Sequence, residues 1–414
     1  MNTSSLSPWR IAVAGLLSLA VAMGIGRFAF TPLLPMMLAD GVITLPAASW
    51  LASANYLGYL VGALLCTFQP WLWRRLGPLP AVNGPAMVRA GLAATTVLTL
   101  GMASPSAPAW PLLRFAAGVA SALVFVYTSG WCLGQLSRLG LPAMGAMIYT
   151  GPGGGIVLSG LAASGMVALG GSAATGWLIF GVLAAALTAV IWPVFRPDRD
   201  LPAAPPAAAG TGSTGPRRDG AEIALLTLAY GLAGFGYIIT ATFLPVIARQ
   251  ALPGSPWLDL FWPIFGAGVV AGAVIASRIR RSGDLRWMLV GCYLVQALGI
   301  AVGVWSPSLA GFALGSLLLG LPFTAITFFA MQEVRRLRPE APSSLMGLLT
   351  AMYGVGQIVG PPLAAALLAR SASPGQGFTL SLEIAAATLV AGALLFGAMT
   401  RLYPVTGRAT GTMR

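Results

Sequence analysis

Residues 23–37 read MGIGRFAFTPLLPMM. Arg27 lies within an apolar run that extends from Ile11 to Leu38, and no acid follows it until Asp40. Roughly 17–25 apolar residues suffice to carry a helix across a bilayer. A charged side chain at that depth costs about 2.5–3.5 kcal/mol on insertion scales, so it faces a cavity or a partner rather than lipid. The stretch therefore predicts a spanning helix and poses a question: what is its guanidinium for?

The rest of the chain agrees with a membrane reading. Of its 414 residues, 57% are hydrophobic and 8% are charged, against about 25% charged in soluble domains. The net charge is +13, and all 23 basic residues are arginine. They form short clusters between apolar segments, the pattern of membrane loops and not of a nucleic-acid-binding face. Histidine is absent, which excludes imidazole catalysis and histidine metal ligation; no metal or cofactor is expected. Cys66, Cys132 and Cys292 lie in apolar segments and read as small buried side chains. Arg10 followed by IAVAGLLSLAVA has the form of a signal peptide. The apolar run continues past Ala22, however, and predicts a retained helix.

Twelve spans are expected, at 11–38, 48–70, 82–103, 109–134, 142–169, 174–195, 221–248, 257–277, 287–305, 309–331, 343–369 and 379–400. The segment 196–220, rich in Pro, Ala and Gly with charged ends, reads as a flexible linker. It divides the chain into 1–195 and 221–414, six spans each. With the N-terminus inside, 18 arginines fall on the cytoplasmic side, two (Arg249 and Arg370) fall opposite, and Arg27, Arg89 and Arg114 lie within spans. This bias predicts cytoplasmic termini and a cytoplasmic linker, in a bacterial inner membrane.

A shift of 210 residues places Gly24-Ile25-Gly26 on Gly234-Phe235-Gly236 and Leu34-Pro35 on Leu244-Pro245, with Arg27 on Tyr237. The fifth and eleventh spans correspond more loosely, through Tyr149 with GPGGG (151–155) and Tyr353 with GVGQIVGPP (354–362). Parallel six-helix repeats holding a substrate between them are a known transporter architecture.

On these residues the chain resembles the major facilitator superfamily over nearly its whole length. GIGRFAFTPLLPMM and SANYLGYLVGALL (53–65) resemble its YbfB/YjiJ branch. Arg114 with Gly118 is similar to the superfamily's fourth-helix motif, and GPGGG to the Gly-Pro motif associated with antiporters. The loop 71–77, WLWRRLG, lacks the family's usual aspartate, and ASRIRRSGD (276–284) has Ser277 in that place. The resemblance implies an all-α integral membrane fold of two pseudo-symmetric six-helix bundles and transmembrane transport of a small solute. It further implies a cavity lined by spans 1, 4, 7 and 10 and contact between the halves through spans 2, 5, 8 and 11. A monomer is the default for this fold.

Arg27 lies about 24 Å along its helix at 1.5 Å per residue, in the outer third of a core roughly 30 Å thick. Arg114 has a comparable depth, and neither span carries a carboxylate. Both are expected to bind an anionic substrate, an organic carboxylate, by bidentate hydrogen bonds. The structural alternative gives Arg27 unwound carbonyls near Pro32 and Pro35, and makes Arg114 a scaffold for neighbouring backbones. Arg89 is expected to snorkel.

Tyr230, Tyr237 and Thr240 on span 7 and Thr324 on span 10 are candidates for the opposite wall. Asn55, Tyr59, Tyr353 and Gln357 are candidate rim or gate contacts, with interhelical bonding as the alternative. Gly58/Gly62, Gly151–Gly155, Gly268/Gly272 and Gly356/Gly360 are expected to permit close helix approach. Arginine does not titrate at working pH, so a coupling proton needs a carboxylate. Glu222 is the candidate, with Asp40, Asp259 and Glu383 behind it. A counter-anion in exchange is the alternative.

A transporter of a small organic anion is the leading reading. An efflux antiporter for amphipathic compounds is the second, and an integral membrane enzyme acting on lipid-linked substrates is the alternative of another class.

Overall fold

The computed structural model describes residues 7–77, 82–196, 218–255, 257–279, 283–338 and 342–405. The expected linker therefore lies almost wholly outside the described residues. The described chain is helical: α1 (Pro8–Leu19), α2 (Phe30–Ala39), α3 (Leu45–Leu76), α4 (Gly84–Gly101), α5 (Trp110–Arg138), α6 (Gly151–Ala168) and α7 (Ala173–Ile191), then α8 (Arg218–Ala251), α9 (Phe261–Arg278), α10 (Arg286–Trp305), α11 (Leu309–Gly320), α12 (Phe323–Leu337), α13 (Pro342–Arg370) and α14 (Pro374–Leu402).

The local sequence accounts for the helix starts. Ser7, Thr44, Asn83, Ser172, Ser308 and Ser373 each stand just before a helix, and each side-chain oxygen accepts from the N–H three residues on. This satisfies one of the orphan donors that every helix start leaves.

Among the described residues, eleven helices are long and apolar enough to cross a membrane. The third expected span, 82–103, is the one not among them: it forms α4, an 18-residue helix that is shorter than any of the eleven. It carries Arg89, whose Nε and Nη2 donate to the Trp192 carbonyl just past α7 at 3.1 and 2.7 Å. The side chain thus reaches a helix end, in keeping with the expected snorkelling.

Two expected spans are interrupted. The first is α1, a π-helical turn at Ala20–Ile25, a turn over 26–29, and α2. The tenth breaks between α11 and α12, ahead of Phe323. The fifth begins as a 3-10 helix over Pro142–Thr150 and becomes α6 at Gly151.

The two parts of the chain meet where α3 packs along α13 and α6 along α9, as expected for spans 2, 11, 5 and 8. The glycines divide between two tasks. A Cβ on Gly153 of α6 would lie 2.8 Å from the Gly266 carbonyl of α9, so this glycine does serve the seam. A Cβ on Gly58 would lie 1.9 Å from the Phe115 carbonyl of α5, so Gly58 serves packing on its own side of the linker. Gly272 and Gly356 likewise face Leu321 and Gly231 within their own part of the chain.

Candidate functional site

The interruption of the first span sets up the site. Pro32 has no N–H to offer the carbonyl of Phe28, and its ring crowds that position. The Thr31 N–H bonds instead to the Phe28 carbonyl, three residues back, at 3.1 Å. Further back, Gly26 and Phe28 donate five residues back, to Val21 and Met23. The rearrangement leaves carbonyls buried within an apolar span, where each needs a partner.

Arg114 of α5 supplies it. Its Nη1 donates to the Gly26 carbonyl at 3.2 Å and its Nη2 to the Arg27 carbonyl at 3.0 Å. Ser121, two turns on, donates to the Ala22 carbonyl at 2.7 Å. Asn55 of α3 in turn donates to the Arg114 carbonyl at 2.9 Å. Arg114 is 2% exposed, and its guanidinium lies 5.1 Å from the Phe30 ring. These contacts bear on two expectations. In place of a solute or rim contact, the terminal nitrogens of Arg114 brace the broken helix and Asn55 supports α5, the structural alternatives for both residues.

Arg27 is arranged differently. It is 4% exposed, and its Nη2 donates to Gln357 Oε1 of α13 at 2.5 Å. Its guanidinium carbon lies 4.2 Å from the centre of the Tyr59 ring and 5.3 Å from those of Tyr56 and Phe28. Aromatic faces attract a cation in this range. Nε of Arg27 is buried without a hydrogen-bond partner. No carboxylate pairs with either arginine among the described residues.

Gln357 joins this cation to the other part of the chain, since its Nε2 donates to the Tyr237 hydroxyl of α8. Tyr237 stacks on Tyr353 at 5.8 Å and meets Phe323 edge-on at 4.9 Å. Tyr353 also packs against Tyr230 at 4.8 Å, and the Tyr230 hydroxyl donates to Thr327 at 3.0 Å. Arg27, Tyr56, Tyr237 and Gln357 are buried, whereas Tyr59, Tyr353, Thr324 and Thr327 are half-buried. Five of the expected residues thus form one cluster with Arg27: Tyr59, Gln357, Tyr237, Tyr353 and Tyr230. Thr240 and Thr324 have hydroxyls without partners and share no bond with it.

Two contributors were missed. Tyr56 bonds Thr242 across the seam at 2.9 Å, and Ser53 donates to the Ile358 carbonyl at 2.8 Å. Tyr56 stands three residues before Tyr59, on the same helix face, and that spacing was a usable signal. An apolar hollow of about 210 Å³, lined by Leu45, Phe243, Ala364, Leu368 and Phe378 among others, lies against α3, α8, α13 and α14. Neither Arg27 nor Arg114 lines it.

Glu222 lies far from this cluster, 15 residues and about 22 Å along α8 from Tyr237 at 1.5 Å per residue. It accepts from Arg286 at 3.0 Å and from Arg336 at 2.5 Å, and Arg336 also pairs with Glu333 at 2.8 Å. Arg286, 0% exposed, further bonds Asp284 and the carbonyls of Met399 and Tyr403. Burial pushes the Asp284 carboxyl up, but the hydrogen bonds from Arg286 outweigh it and hold the group below its ordinary range. Glu222, the candidate coupling group, is therefore a member of an ionic foot that ties α8, α10, α12 and α14 together. Asp40 accepts from the Ala173 N–H at the start of α7 at 2.7 Å, Asp259 pairs with Arg249 at 2.5 Å, and Glu383 is exposed.

Comparison with known proteins places this architecture. In fold, the chain matches the crystal structure of a point mutant of the nucleoside transporter NupG with a TM-score of 0.70 at 15% identity, covering 95% of this chain and 99% of the other. In sequence, it is 29% identical over 397 residues to the uncharacterized MFS-type transporter YceJ of Bacillus subtilis (strain 168), covering 90% of this chain and 93% of the relative. It is 27% identical over 402 residues to a chloramphenicol resistance protein of Streptomyces lividans, covering 91% and 94%. The family model described as uncharacterised MFS-type transporter YbfB matches residues 19–397. A broken first helix, a seam between the two parts of the chain and a family match over most of its length together identify this protein as a member of the YbfB family of MFS-type transporters.

Proposed function

We propose that the protein moves a small organic anion across the bacterial inner membrane by alternating access between two six-helix halves, 1–195 and 221–414, with Arg27 as the anion-binding group. One observation carries the reading: a buried guanidinium held by a neutral amide and aromatic faces, with no carboxylate against it among the described residues. A fixed cation in a low-dielectric site is costly unless paired, and a travelling carboxylate completes it. The two-half arrangement is supported by the bond from Thr31 Oγ1 to the Ala241 carbonyl at 2.8 Å, between residues 210 apart. A residue that touches its own repeat mate is what a two-fold axis between α2 and α8 requires. The arginine bias supports cytoplasmic termini.

Because Glu222, Asp40 and Asp259 are engaged elsewhere, the reading favours facilitated movement or exchange against a counter-anion over proton coupling through them. The decisive experiment measures carboxylate transport in vesicles. Arg27→Gln is expected to lower it at least about 100-fold, the loss of a charged hydrogen-bond partner, with normal membrane insertion. Normal transport in that variant removes the reading.

Efflux of amphipathic compounds is the second reading. It is supported by the aromatic wall of Tyr230, Tyr237, Tyr353 and Phe323 and by the relative whose name states chloramphenicol resistance. It predicts transport of neutral aromatic solutes that survives Arg27→Gln.

A further inference from the structure

The link through Gln357 has a defined polarity. Arginine offers only donors, so Gln357 must turn Oε1 toward Arg27. Its Nε2 is then left to donate to Tyr237, whose hydroxyl acts as acceptor in that bond. One neutral side chain thereby connects the two residues that the 210-residue shift pairs, one on each side of the linker. Gln357 is 1% exposed and sits beside Ile358, whose carbonyl takes the seam bond from Ser53.

The Arg27 guanidinium carbon lies over the rings of Tyr59, Tyr56 and Phe28, and all its N–H donors lie in the guanidinium plane. A hydrogen-bonding ligand must therefore approach in the plane, along an edge. Gln357 Oε1 occupies that plane at Nη2. An amide oxygen there is the neutral counterpart of a single carboxylate oxygen. The amide offers the cation one neutral oxygen, whereas a carboxylate brings a full opposite charge and two oxygens that can pair with the guanidinium fork, so an incoming carboxylate displaces the amide. A resident carboxylate would not be displaced.

We propose that Gln357 is an internal competitor for the transported anion: its carbonyl holds Arg27 while the site is empty, and it must leave for a carboxylate to bind. The role rests on the reading of Arg27 given above. It accounts for an amide at this position, which a mere requirement for stability does not: a glutamate would bond both Arg27 and the Tyr237 hydroxyl, but permanently. Glutamine keeps the cation satisfied enough to remain buried and available enough to exchange partners. Release of the amide also frees Tyr237, so occupancy on one side of the seam is communicated to its repeat mate on the other.

The test uses the full-length protein in detergent, with lactate, succinate and benzoate as probes and thermal stabilisation as the readout of apparent affinity. Gln357→Leu is expected to tighten binding of the best probe about tenfold, because the competing bond to a charged group is gone. Gln357→Met, which retains the length of the side chain, is expected to do the same and guards against a folding defect in the first variant. Gln357→Glu is expected to abolish binding. Opposite effects of neutral and acidic replacements separate competition from simple structural support, which would weaken binding in every variant.

If Arg27→Gln loses the response while both neutral variants at 357 bind as the wild type does or more weakly, the competitor role is overturned and the Arg27 reading stands. If Gln357→Glu still binds carboxylate, the competitor role is likewise overturned. If no probe stabilises the wild type or any variant, the Arg27 reading falls and the competitor role with it.

Discussion

The first span and α8 are repeat mates that share Gly-x-Gly and Leu-Pro at a spacing of 210 residues, yet one is broken and the other runs unbroken from Arg218 to Ala251. The difference begins at residue 32. Pro32 removes an N–H, whereas its mate Thr242 keeps one and donates its hydroxyl to the Ile238 carbonyl at 2.7 Å. Each helix is then secured where its own backbone demands it. The broken span is pinned in the middle by Arg114, which takes the freed carbonyls. The continuous α8 gives up a single N–H at Pro245, and the Ala241 carbonyl four residues back takes the Thr31 hydroxyl instead; its ionic pin is at its end, where Glu222 meets Arg286 and Arg336. Two arginines that look alike in sequence, Arg27 and Arg114, thus have different work. Arg114 caps backbone, whereas Arg27 meets an amide and aromatic rings, which is why the proposed anion site is placed at Arg27.

The largest expected effect comes from removing the middle pin. Arg114→Met leaves the Gly26 and Arg27 carbonyls buried and unpaired, at about 1–3 kcal/mol each. The folded yield in detergent is expected to collapse, and Arg114→Lys to rescue it poorly, because one ammonium does not span two carbonyls as a planar fork does. Full yield of the Met variant would show that the break needs no brace.

Removing the end pin is next. Arg286→Ala leaves Glu222 with Arg336 alone and strips the bonds to Asp284, Met399 and Tyr403. Breaking a buried ion pair costs about 3–5 kcal/mol, read as a fall in melting temperature. Because Arg336 still answers Glu222, the lower figure is expected. Carboxylate affinity should hold, since the foot lies about 22 Å from Tyr237 by helix rise.

Tyr237→Phe sharpens the contrast between the mates themselves. It removes the acceptor for Gln357 Nε2 and is expected to cost about 1 kcal/mol of stability, measured by the same melting experiment. An unchanged melting temperature would show that the amide is held by Arg27 alone.

The smallest effect is an acid response of the foot. The Asp284 carboxyl sits below its ordinary range when folded. Its contribution to stability is therefore present above the unfolded value, near about 3.9, and is lost as pH falls through the lower folded value. Melting temperatures of wild type and Asp284→Asn are expected to differ at neutral pH and to converge under strong acid.

Much of the site was legible in advance. Arg27 is expected at bilayer depth, Tyr230 and Tyr237 on an opposite wall, and Tyr59, Tyr353 and Gln357 at a rim or gate, and the structure gathers all six into one cluster. A polar side chain in an apolar span requires a partner, and that requirement is visible without coordinates. Arg114, Asn55 and Glu222 were also visible, but their partners were not. Two of those partners are backbone carbonyls, which every residue carries and no sequence distinguishes. The third is Arg286 with Arg336, separated from Glu222 in sequence by 64 and 114 residues. Glycine spacing showed close packing but not the neighbour, so Gly58 and Gly153 read alike although only the second faces the seam.

By itself the sequence determined that this chain lies in a membrane, where most of its apolar helices fall, that its first and seventh expected spans share a pattern 210 residues apart, and that a guanidinium lies within an apolar span at Arg27. Those are consequences of hydropathy, charge and helix length, which act locally along the chain. Only the tertiary structure decided which arginine braces and which remains for a ligand. That depends on which carbonyls a broken helix releases and which side chain from a distant helix arrives to meet them.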